Sequence, residues 1–268
     1  MSERLDAALA ERGLVRSRTA AAKLITEGRV SVDGEPIVKP SHKVEDDQTL
    51  TVSGTDHYVS RAAHKLIAAL DAFQVPVEGR LALDAGASTG GFSQVLLERG
   101  VDRVIAVDVG HGQLAPSLAL EPRLTLVEGF NLRYASQATL AEASTIRQRP
   151  DLVVADLSFI SLPMVLPALF DVAAVGADFV LLIKPQFEVG RGGVREGIVH
   201  QQDLRADAIA GVLWAGWDLG LGTRGLIASP IAGSSGNREY LCHLRASEGP
   251  DDGNPTEWLD RITAVVGA

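Results

Sequence analysis

The sequence has a single cysteine, Cys242, and no unbroken apolar run of the length that crosses a membrane. One cysteine cannot form a disulfide within the chain, so a reducing compartment is expected. The most apolar stretch, residues 162–183, is interrupted by two prolines, a glycine and two aspartates. A membrane-spanning helix needs about 20 nearly continuous apolar residues. We therefore expect neither a disulfide framework nor a membrane-spanning segment.

Positive charge is also in short supply, because 25 Lys and Arg face 34 Asp and Glu, a formal net charge of −9. This balance argues against a nucleic-acid partner, although steering depends on where the positive charges lie rather than on their sum. The first residues contain no apolar core flanked by basic residues, the signature of a secretory signal. A cytoplasmic location is the expectation.

The length and composition are those of a folded protein with one α/β core and a small accessory domain. With 46% hydrophobic and 22% charged residues among 268, the chain is close to the average for globular proteins and long enough to need no disulfide or metal for stability. We predict a small domain over residues 1–55, a polar linker over 56–60 and a larger domain over 61–268.

The small domain has the pattern of two short helices followed by short strands. Two leucines fall at helical spacing, and Ser17 can cap a second helix that ends at Gly28. Asp33-Gly34 is a strong tight-turn pair between two short strands, and a third strand is predicted at residues 50–52. The pattern indicates a small α+β domain.

Basic residues cluster around the second of these helices and can form one positive face. An alternative interpretation is a solvated helix face, which charge alone does not exclude. The residues that we expect to bind RNA, if the face serves that purpose, are Arg16, Arg18, Lys23 and Arg29, with Arg12 nearby.

Several spaced segments of this domain resemble a small RNA-binding domain. That domain is shared by a ribosomal small-subunit protein, pseudouridine synthases and tyrosyl-tRNA synthetases. The matching segments are Arg4-Leu5-Asp6, Ser17-Arg18-Thr19-Ala20-Ala21, Gly28-Arg29-Val30 and Val32-Asp33-Gly34. The resemblance implies binding to structured RNA.

Strand and helix patterns alternate through the larger domain. After a helix that Ser60 is expected to cap, strands are predicted at residues 81–85, 104–108, 124–128, 152–156 and 179–184, separated by helix-length segments. This alternation predicts a doubly wound parallel sheet. Two last strands, 225–229 and 239–244, follow each other without a helix. That ending is typical of class I (Rossmann-like) methyltransferases, whose seven-stranded sheet has an antiparallel last strand.

A glycine-rich turn follows the first of these strands and predicts a cofactor site. Glycines there let a ligand approach the backbone while a helix N-terminus points at it. Ser88 stands where dinucleotide-binding enzymes carry a glycine for the pyrophosphate, and Asp84 suits the cationic methionine end of S-adenosylmethionine. A buried capping aspartate is the alternative for Asp84. The expected contacts of the turn are Asp84, Gly86, Ser88 and Gly90.

Two further residues are candidates for the adenosine part of that cofactor. Asp108 ends the second strand, the position from which a carboxylate accepts hydrogen bonds from ribose hydroxyls. Asn131 follows the third strand and can meet the adenine edge, or it is simply a turn residue.

Charged residues follow other strands and predict a catalytic site at the same edge. Asp156 and Lys184 end two strands, and Glu239 begins the antiparallel last strand. The carboxyl ends of parallel strands share one edge of a sheet, where ligands bind. Taken singly, each of these charges could belong to a surface ion pair.

With Lys65, these residues resemble the Lys-Asp-Lys-Glu tetrad of ribose 2'-O-methyltransferases, including the FtsJ-like enzymes. A ribose hydroxyl must lose its proton as it attacks a sulfonium methyl, so a base is needed. Lys184 is the candidate base, and Lys65 the neighbouring cation that favours its neutral form. The Asn-Pro-Pro-Tyr or Asp-Pro-Pro-Tyr motif expected of an amino-methyltransferase is absent. No metal site is expected.

The chain is similar from end to end to the TlyA family, through residues 60–66, 84–92, 155–161, 184–188 and 235–237. The resemblance implies 2'-O-methylation of cytidines in ribosomal RNA of one or both subunits, with S-adenosylmethionine as cofactor, and a link to capreomycin susceptibility. Tyr58 departs from the family, where close relatives carry tryptophan. The modified nucleotide and the form of the substrate, naked RNA or a ribosomal subunit, are left open; a monomer is expected.

Two other functions stay open at this point. The family also carries a haemolysin label, but a membrane-active protein needs a strongly basic amphipathic or a spanning segment, and the sequence shows none. An RNA-binding protein that has lost catalysis would not be expected to keep both the cofactor motif and the tetrad.

Overall fold

The computed structural model describes residues 3–15, 17–52, 57–233, 235–249 and 251–267. The chain divides into two compact units, Met1–His57 and Tyr58–Ala268. Each unit has its own hydrophobic core, and each is described by itself.

The first unit packs two helices on short strands. Ser17 caps the second helix by accepting a hydrogen bond from the Ala20 backbone, and Asp33-Gly34, both at positive φ, turn the chain between two paired strands, as predicted. The strands form a three-stranded sheet, β3-β2-β5, and a separate pair, β1-β4. The elements are β1 Glu3–Arg4, α1 Leu5–Glu11, α2 Arg18–Thr26, β2 Val30–Val32, β3 Glu35–Pro36, β4 Lys43–Val44 and β5 Leu50–Val52.

The second unit is a seven-stranded sheet of order β11-β12-β10-β9-β6-β7-β8. Strand β12 runs antiparallel to both of its neighbours, and the other pairs are parallel. Its helices and strands are α3 Ala63–Phe73, β6 Leu81–Ala85, α4 Gly91–Glu98, β7 Arg103–Val107, β8 Leu124–Val127, α5 Gln137–Ser144, β9 Leu152–Ala155, α6 Leu162–Val172, β10 Asp178–Ile183, α7 Pro185–Glu188, α8 Gln202–Trp217, β11 Leu221–Ala228, β12 Tyr240–Ala246 and α9 Leu259–Gly267, with 3₁₀ turns at Leu132–Tyr134, Arg191–Gly193 and Pro255–Trp258.

The predicted class I methyltransferase fold, with its antiparallel last strand, is confirmed. The central strands are largely apolar and buried along their length because helices cover both faces of a parallel sheet. Cys242 is buried in β12, as expected of a small hydrophobe. The sheet therefore brings the carboxyl ends of β6, β7, β9 and β10 to one edge.

Two local predictions were wrong. Strand β11 begins at Leu221 rather than at residue 225. It includes Gly222 and Gly225, where the Asp252 backbone and the Phe73 ring leave no room for a side chain. Ser60 does not cap α3, whose N-cap is Ala62. Instead its hydroxyl accepts a hydrogen bond from the Ala62 backbone at 3.2 Å, within a turn before the helix.

Candidate active site

Strand register aligns the polar residues at the carboxyl edge of the sheet. Ala85 pairs with Val107 on one side and with Ala155 on the other. Ile183 pairs with Tyr240 across the antiparallel strands. The residues that follow or precede these positions are Gly86, Asp108, Asp156, Lys184 and Glu239. Five predicted site residues therefore share this edge.

Two adjoining clefts open at this edge. The first has a volume of about 610 Å³ and the second about 310 Å³. Asp108 and Asn131 line the first cleft, while Lys184 lines the second. Both are lined by Gly86, Ser88, Asp156 and Ser158. The predicted adenosine contacts and the predicted base thus lie on either side of a shared wall.

The glycine-rich turn is shaped for close approach. Gly86 has φ +85°, and a Cβ there would lie 2.7 Å from the Asp156 carbonyl oxygen. Any side chain at this position would therefore clash with the backbone of Asp156, which lines both clefts. Gly90 has φ +93° and is the N-cap of α4. Its Cβ position is occupied by leucine side chains. Gly86 thus borders the clefts, whereas Gly90 lets Leu114 and Leu118 pack against the start of α4.

Asp84 lies beneath this turn rather than in it. It is fully buried, its Oδ2 accepts a hydrogen bond from the Ser93 hydroxyl at 2.6 Å, and its Oδ1 has no hydrogen-bond partner. Burial raises the pKa of Asp84 to about 7, against the opposing hydrogen bond from Ser93. Of the described residues, Asp84 and Gly90 are predicted contacts that line neither cleft. The charge of Asp84 can therefore act on a ligand only from below.

Asp108 lines the first cleft and binds two neighbouring backbone groups. Its carboxylate accepts backbone hydrogen bonds from Ser88 at 2.8 Å and from Gly110 at 2.7 Å. Each oxygen keeps a second acceptor position. Asn131 lines the same cleft, and its side chain accepts a hydrogen bond from the Arg133 backbone at 3.1 Å. Asn131 is therefore a turn residue that also lines the cleft, and its contact with adenine stays a prediction.

Lys184 and Asp156 form an ion pair that borders the second cleft. The Lys184 Nζ lies 2.6 Å from the Asp156 Oδ1, and the two side chains are 11% and 16% exposed. The same ammonium donates a hydrogen bond to the Ser158 hydroxyl at 2.8 Å. The contact with Asp156 is an ion pair without hydrogen-bond geometry, so the directed hydrogen bond of this ammonium is the one to Ser158.

Lys65 and Glu239 form a second, more deeply buried ion pair. The Lys65 Nζ donates to the Glu239 Oε2 at 2.6 Å, and the side chains are only 7% and 3% exposed. Lys184 directly follows Ile183 and Glu239 directly precedes Tyr240, the last cross-strand pair of β10 and β12. Cross-strand positions put side chains about 4.5–5.5 Å apart at Cβ. The four tetrad residues thus form two ion pairs, in which Asp156, Lys184 and Glu239 adjoin strand ends and Lys65 comes from α3.

Sequence reasoning assigned no role to Ser158 or Phe159, which border the clefts beside Asp156. Phe159 is 91% exposed and has φ +64°, a conformation that bulky residues rarely adopt. Its ring lies 5.3 Å from that of Phe187. The signal was available, because both residues stand within the segment that carries Asp156.

The predicted RNA-binding residues of the first unit are exposed but paired with acids. The Arg18 guanidinium lies 3.2 Å from Asp6, and the Lys23 ammonium lies 3.8 Å from Glu27. Arg29 is 4.0 Å from the same glutamate. Arg16 lies outside the described residues. The pairs with Glu27 are exposed and contribute little stability, so Lys23 and Arg29 can exchange this acid for a phosphate at small cost. Asp6, the partner of Arg18, is buried.

Arg12 differs from these cations because it is part of the unit's own structure. Its guanidinium donates to the backbone carbonyls of Glu45 and Gln48, each at 2.9 Å. We therefore leave it out of the candidate RNA-binding face.

Comparison with known proteins defines the class of both units. The FtsJ-like methyltransferase family matches residues 58–246, and the S4 domain matches residues 3–50. The second unit is therefore a methyltransferase domain of the FtsJ-like class, as its fold and clefts indicate.

Individual relatives narrow the class. A Mycobacterium tuberculosis protein named 16S/23S rRNA (cytidine-2'-O)-methyltransferase TlyA is 51% identical over 245 residues, 90% of this chain and 89% of that protein. Hemolysin A of Brachyspira hyodysenteriae is 36% identical over 90% of this chain and 99% of its own. A solved Streptococcus thermophilus structure with a provisional hemolysin name has TM-score 0.75 and 37% identity, covering 99% of this chain and 94% of that one. The chain belongs to the TlyA family.

Names of both kinds, methyltransferase and hemolysin, thus occur among the relatives. Within the part of the chain that the structure describes, none of the helices combines the length and apolar character needed to cross a bilayer.

Proposed function

We propose that this protein transfers a methyl group from S-adenosylmethionine to the ribose 2'-hydroxyl of a cytidine in ribosomal RNA. The observation that carries the proposal is the ion pair of Lys184 with Asp156 beside two clefts of cofactor size, together with a second buried ion pair, Lys65 with Glu239, which lines neither cleft. The name of the Mycobacterium tuberculosis relative supplies the cytidine and the ribosomal RNA. Such a substrate implies a cytoplasmic enzyme and a ribosomal subunit or its RNA as partner.

The first cleft fits the cofactor. Asp108 has acceptor positions for the ribose hydroxyls, and Asn131 lies near enough to share the lining. Gly86 leaves room at the shared wall, where the unpartnered Asp84 Oδ1 lies beneath the turn. Burial raises the pKa of Asp84 to about 7, and a bound sulfonium or ammonium group would favour its charged form. When bound, the cofactor supplies an electrophilic methyl group.

Lys184 is the proposed base. Its side chain must be a neutral amine to take the proton of the attacking hydroxyl. Asp156 and Ser158 hold the Lys184 nitrogen at the wall between the clefts. Lys65, held by Glu239, places a cation near the same edge. General-base catalysis contributes about 10²–10⁴-fold, and positioning of the hydroxyl adds to it.

The first unit is the proposed RNA-docking domain, over residues 1–55, joined by a linker at 56–60 to the methyltransferase domain at 61–268. Its proposed phosphate contacts are Arg16, Arg18, Lys23 and Arg29.

Phe159, in the second unit, adds an exposed ring at the catalytic edge, and unstacked RNA bases pack on such rings.

The direct test is mass-spectrometric mapping of 2'-O-methylated nucleotides in ribosomal RNA, isolated with and without this protein. The expected result is a methylated cytidine ribose that appears only with the active protein. Methylation at a base nitrogen or carbon, or identical maps in both samples, would contradict the proposal.

We expect Asp108→Ala to weaken S-adenosylmethionine binding at least about tenfold, since a hydrogen bond to a charged group contributes about 1.5–3 kcal/mol. Asp108→Asn, which keeps one acceptor oxygen, should lose less. Asp102→Ala is the matched control, because Asp102 is exposed near the opposite end of β7. Calorimetric titration measures all three affinities. Equal affinity of Asp108→Ala and the control would remove Asp108 from the cofactor site.

We expect the double substitution Lys23→Ala, Arg29→Ala to weaken binding to ribosomal RNA while cofactor affinity stays unchanged. Each lost phosphate contact should lower the slope of log affinity against log salt by about 1. Filter binding at several salt concentrations measures the slope. A slope equal to that of the wild type would show that this face does not contact phosphate.

A further inference from the structure

Two segments that meet at the active site run side by side and are joined at both ends. One is the loop over residues 156–161, between β9 and α6. The other is residues 184–188, which comprise the proposed base and α7. At one end, Lys184 holds Asp156 and Ser158.

Glu188 makes the junction at the other end. Its Oε2 accepts a hydrogen bond from the Ser161 hydroxyl at 2.6 Å, and its Oε1 accepts one from the Leu162 backbone at 3.0 Å. Between the two junctions the rings of Phe159 and Phe187 are in contact. The loop and the segment are therefore connected along their whole length.

Ser161 binds Glu188 instead of capping its own helix. Serine at an N-cap position usually accepts a hydrogen bond from the first turn of its own helix. Ser161 is the N-cap of α6, yet its described side chain makes no such bond. It donates to Glu188 instead, and Glu188 takes over the capping of Leu162. A local cap has been replaced by a link between two chain segments.

The carboxylate is kept there in spite of an unfavourable environment. Glu188 is only partly exposed, and burial raises the pKa of its carboxyl, although the hydrogen bonds from Leu162 and Ser161 oppose this. Capping α6 alone would not need a carboxylate from a segment 26 residues away.

The junction bears on Lys184 through α7. This helix is a single turn, with Lys184 at its N-cap and Glu188 as its last residue. A side chain with four rotatable bonds places its nitrogen reproducibly only if the backbone that carries it is fixed. Anchoring both ends of the turn to the same loop supplies that restraint.

We propose that Glu188 is a positioning residue that fixes α7 and the loop 156–161 relative to each other, and so holds the Lys184 nitrogen against Asp156 and Ser158. The inference rests on the proposed function, in which Lys184 is the base. Glu188 itself lines neither of the two clefts described above, so it acts through Lys184.

The test compares Glu188→Ala, Glu188→Gln and Ser161→Ala in methyl transfer to ribosomal RNA. A displacement of about 1 Å can lower turnover by about 10²-fold, and we expect a loss of this order in kcat for Glu188→Ala, with cofactor affinity unchanged. Glu188→Gln keeps an acceptor for Leu162 and should recover part of the loss. Ser161→Ala as a single substitution should also lower kcat. Its effect should be smaller in a protein that already carries Glu188→Ala, because the hydrogen bond between Ser161 and Glu188 is then already lost.

The matched control is Asp171→Ala, on the same helix. Its carboxylate accepts a hydrogen bond from the Gln137 backbone at 3.0 Å, away from the junction. This variant should lose stability but keep kcat, which separates positioning from general weakening of α6. Wild-type kcat in Glu188→Ala would overturn the positioning role alone. A wild-type protein without methyl transfer would overturn the proposed function as well.

Discussion

Replacing Lys184 by alanine should lower methyl transfer by about 10²–10⁴-fold, the usual contribution of a general base, while cofactor and RNA binding persist. The reason is that a sulfonium methyl already carries positive charge, so the reaction lacks only a group that accepts the hydroxyl proton. The loss should appear in kcat, because Lys184 lines the second cleft and not the first, where the cofactor is proposed to bind. Single-turnover methylation of ribosomal RNA with labelled cofactor measures it.

Lys184→Arg is the control for charge and geometry. Arginine keeps a cation beside Asp156 and Ser158, but it does not lose its proton in proteins. If the lysine acts as a base, the arginine variant should be nearly as inactive as the alanine variant. If it only holds the loop or neutralises Asp156, arginine should recover most of the activity. Wild-type turnover in Lys184→Ala would show that the base has been misassigned.

The edge residues could be predicted because sheet geometry is periodic and local. Asp108, Asp156 and Lys184 each follow an apolar run, and a parallel strand buried on both faces is followed by polar residues where it leaves the core. The structure confirms the strands that precede them. Their roles in binding and catalysis stay predictions, since geometry brings the groups together without showing the reaction.

Contacts between distant segments had no such local signal. Glu188 and Ser161 are 27 residues apart, and no spacing rule connects them. Lys65 entered the candidate site through family resemblance, and its ion pair with Glu239, 174 residues away, was not predicted. The predicted helix cap at Ser60 was also wrong. A serine before an apolar helix predicts a cap, but here the chain makes a turn before the helix begins. Tertiary packing decided each case.

The buried pair of Lys65 and Glu239 should have the largest effect on stability. Removing one partner of a buried ion pair costs about 3–5 kcal/mol, because the remaining charge has lost its compensation. Both side chains are less than a tenth exposed, so Lys65→Met should destabilise by this amount. Urea denaturation at low temperature measures it. Arg99→Met is the matched control: Arg99 lies 2.7 Å from Asp71, but these side chains are 41% and 56% exposed, and exposed pairs contribute about 0–1 kcal/mol.

The double variant Lys65→Met, Glu239→Gln separates stability from catalysis. Without an uncompensated charge it should regain most of the stability that Lys65→Met loses, since a neutral pair of similar volume packs at little cost. Methyl transfer should stay low in both variants, because the cation beside Lys184 is absent from each. If the double variant regains wild-type turnover together with its stability, Lys65 and Glu239 serve the fold alone and the tetrad reduces to Lys184 and Asp156.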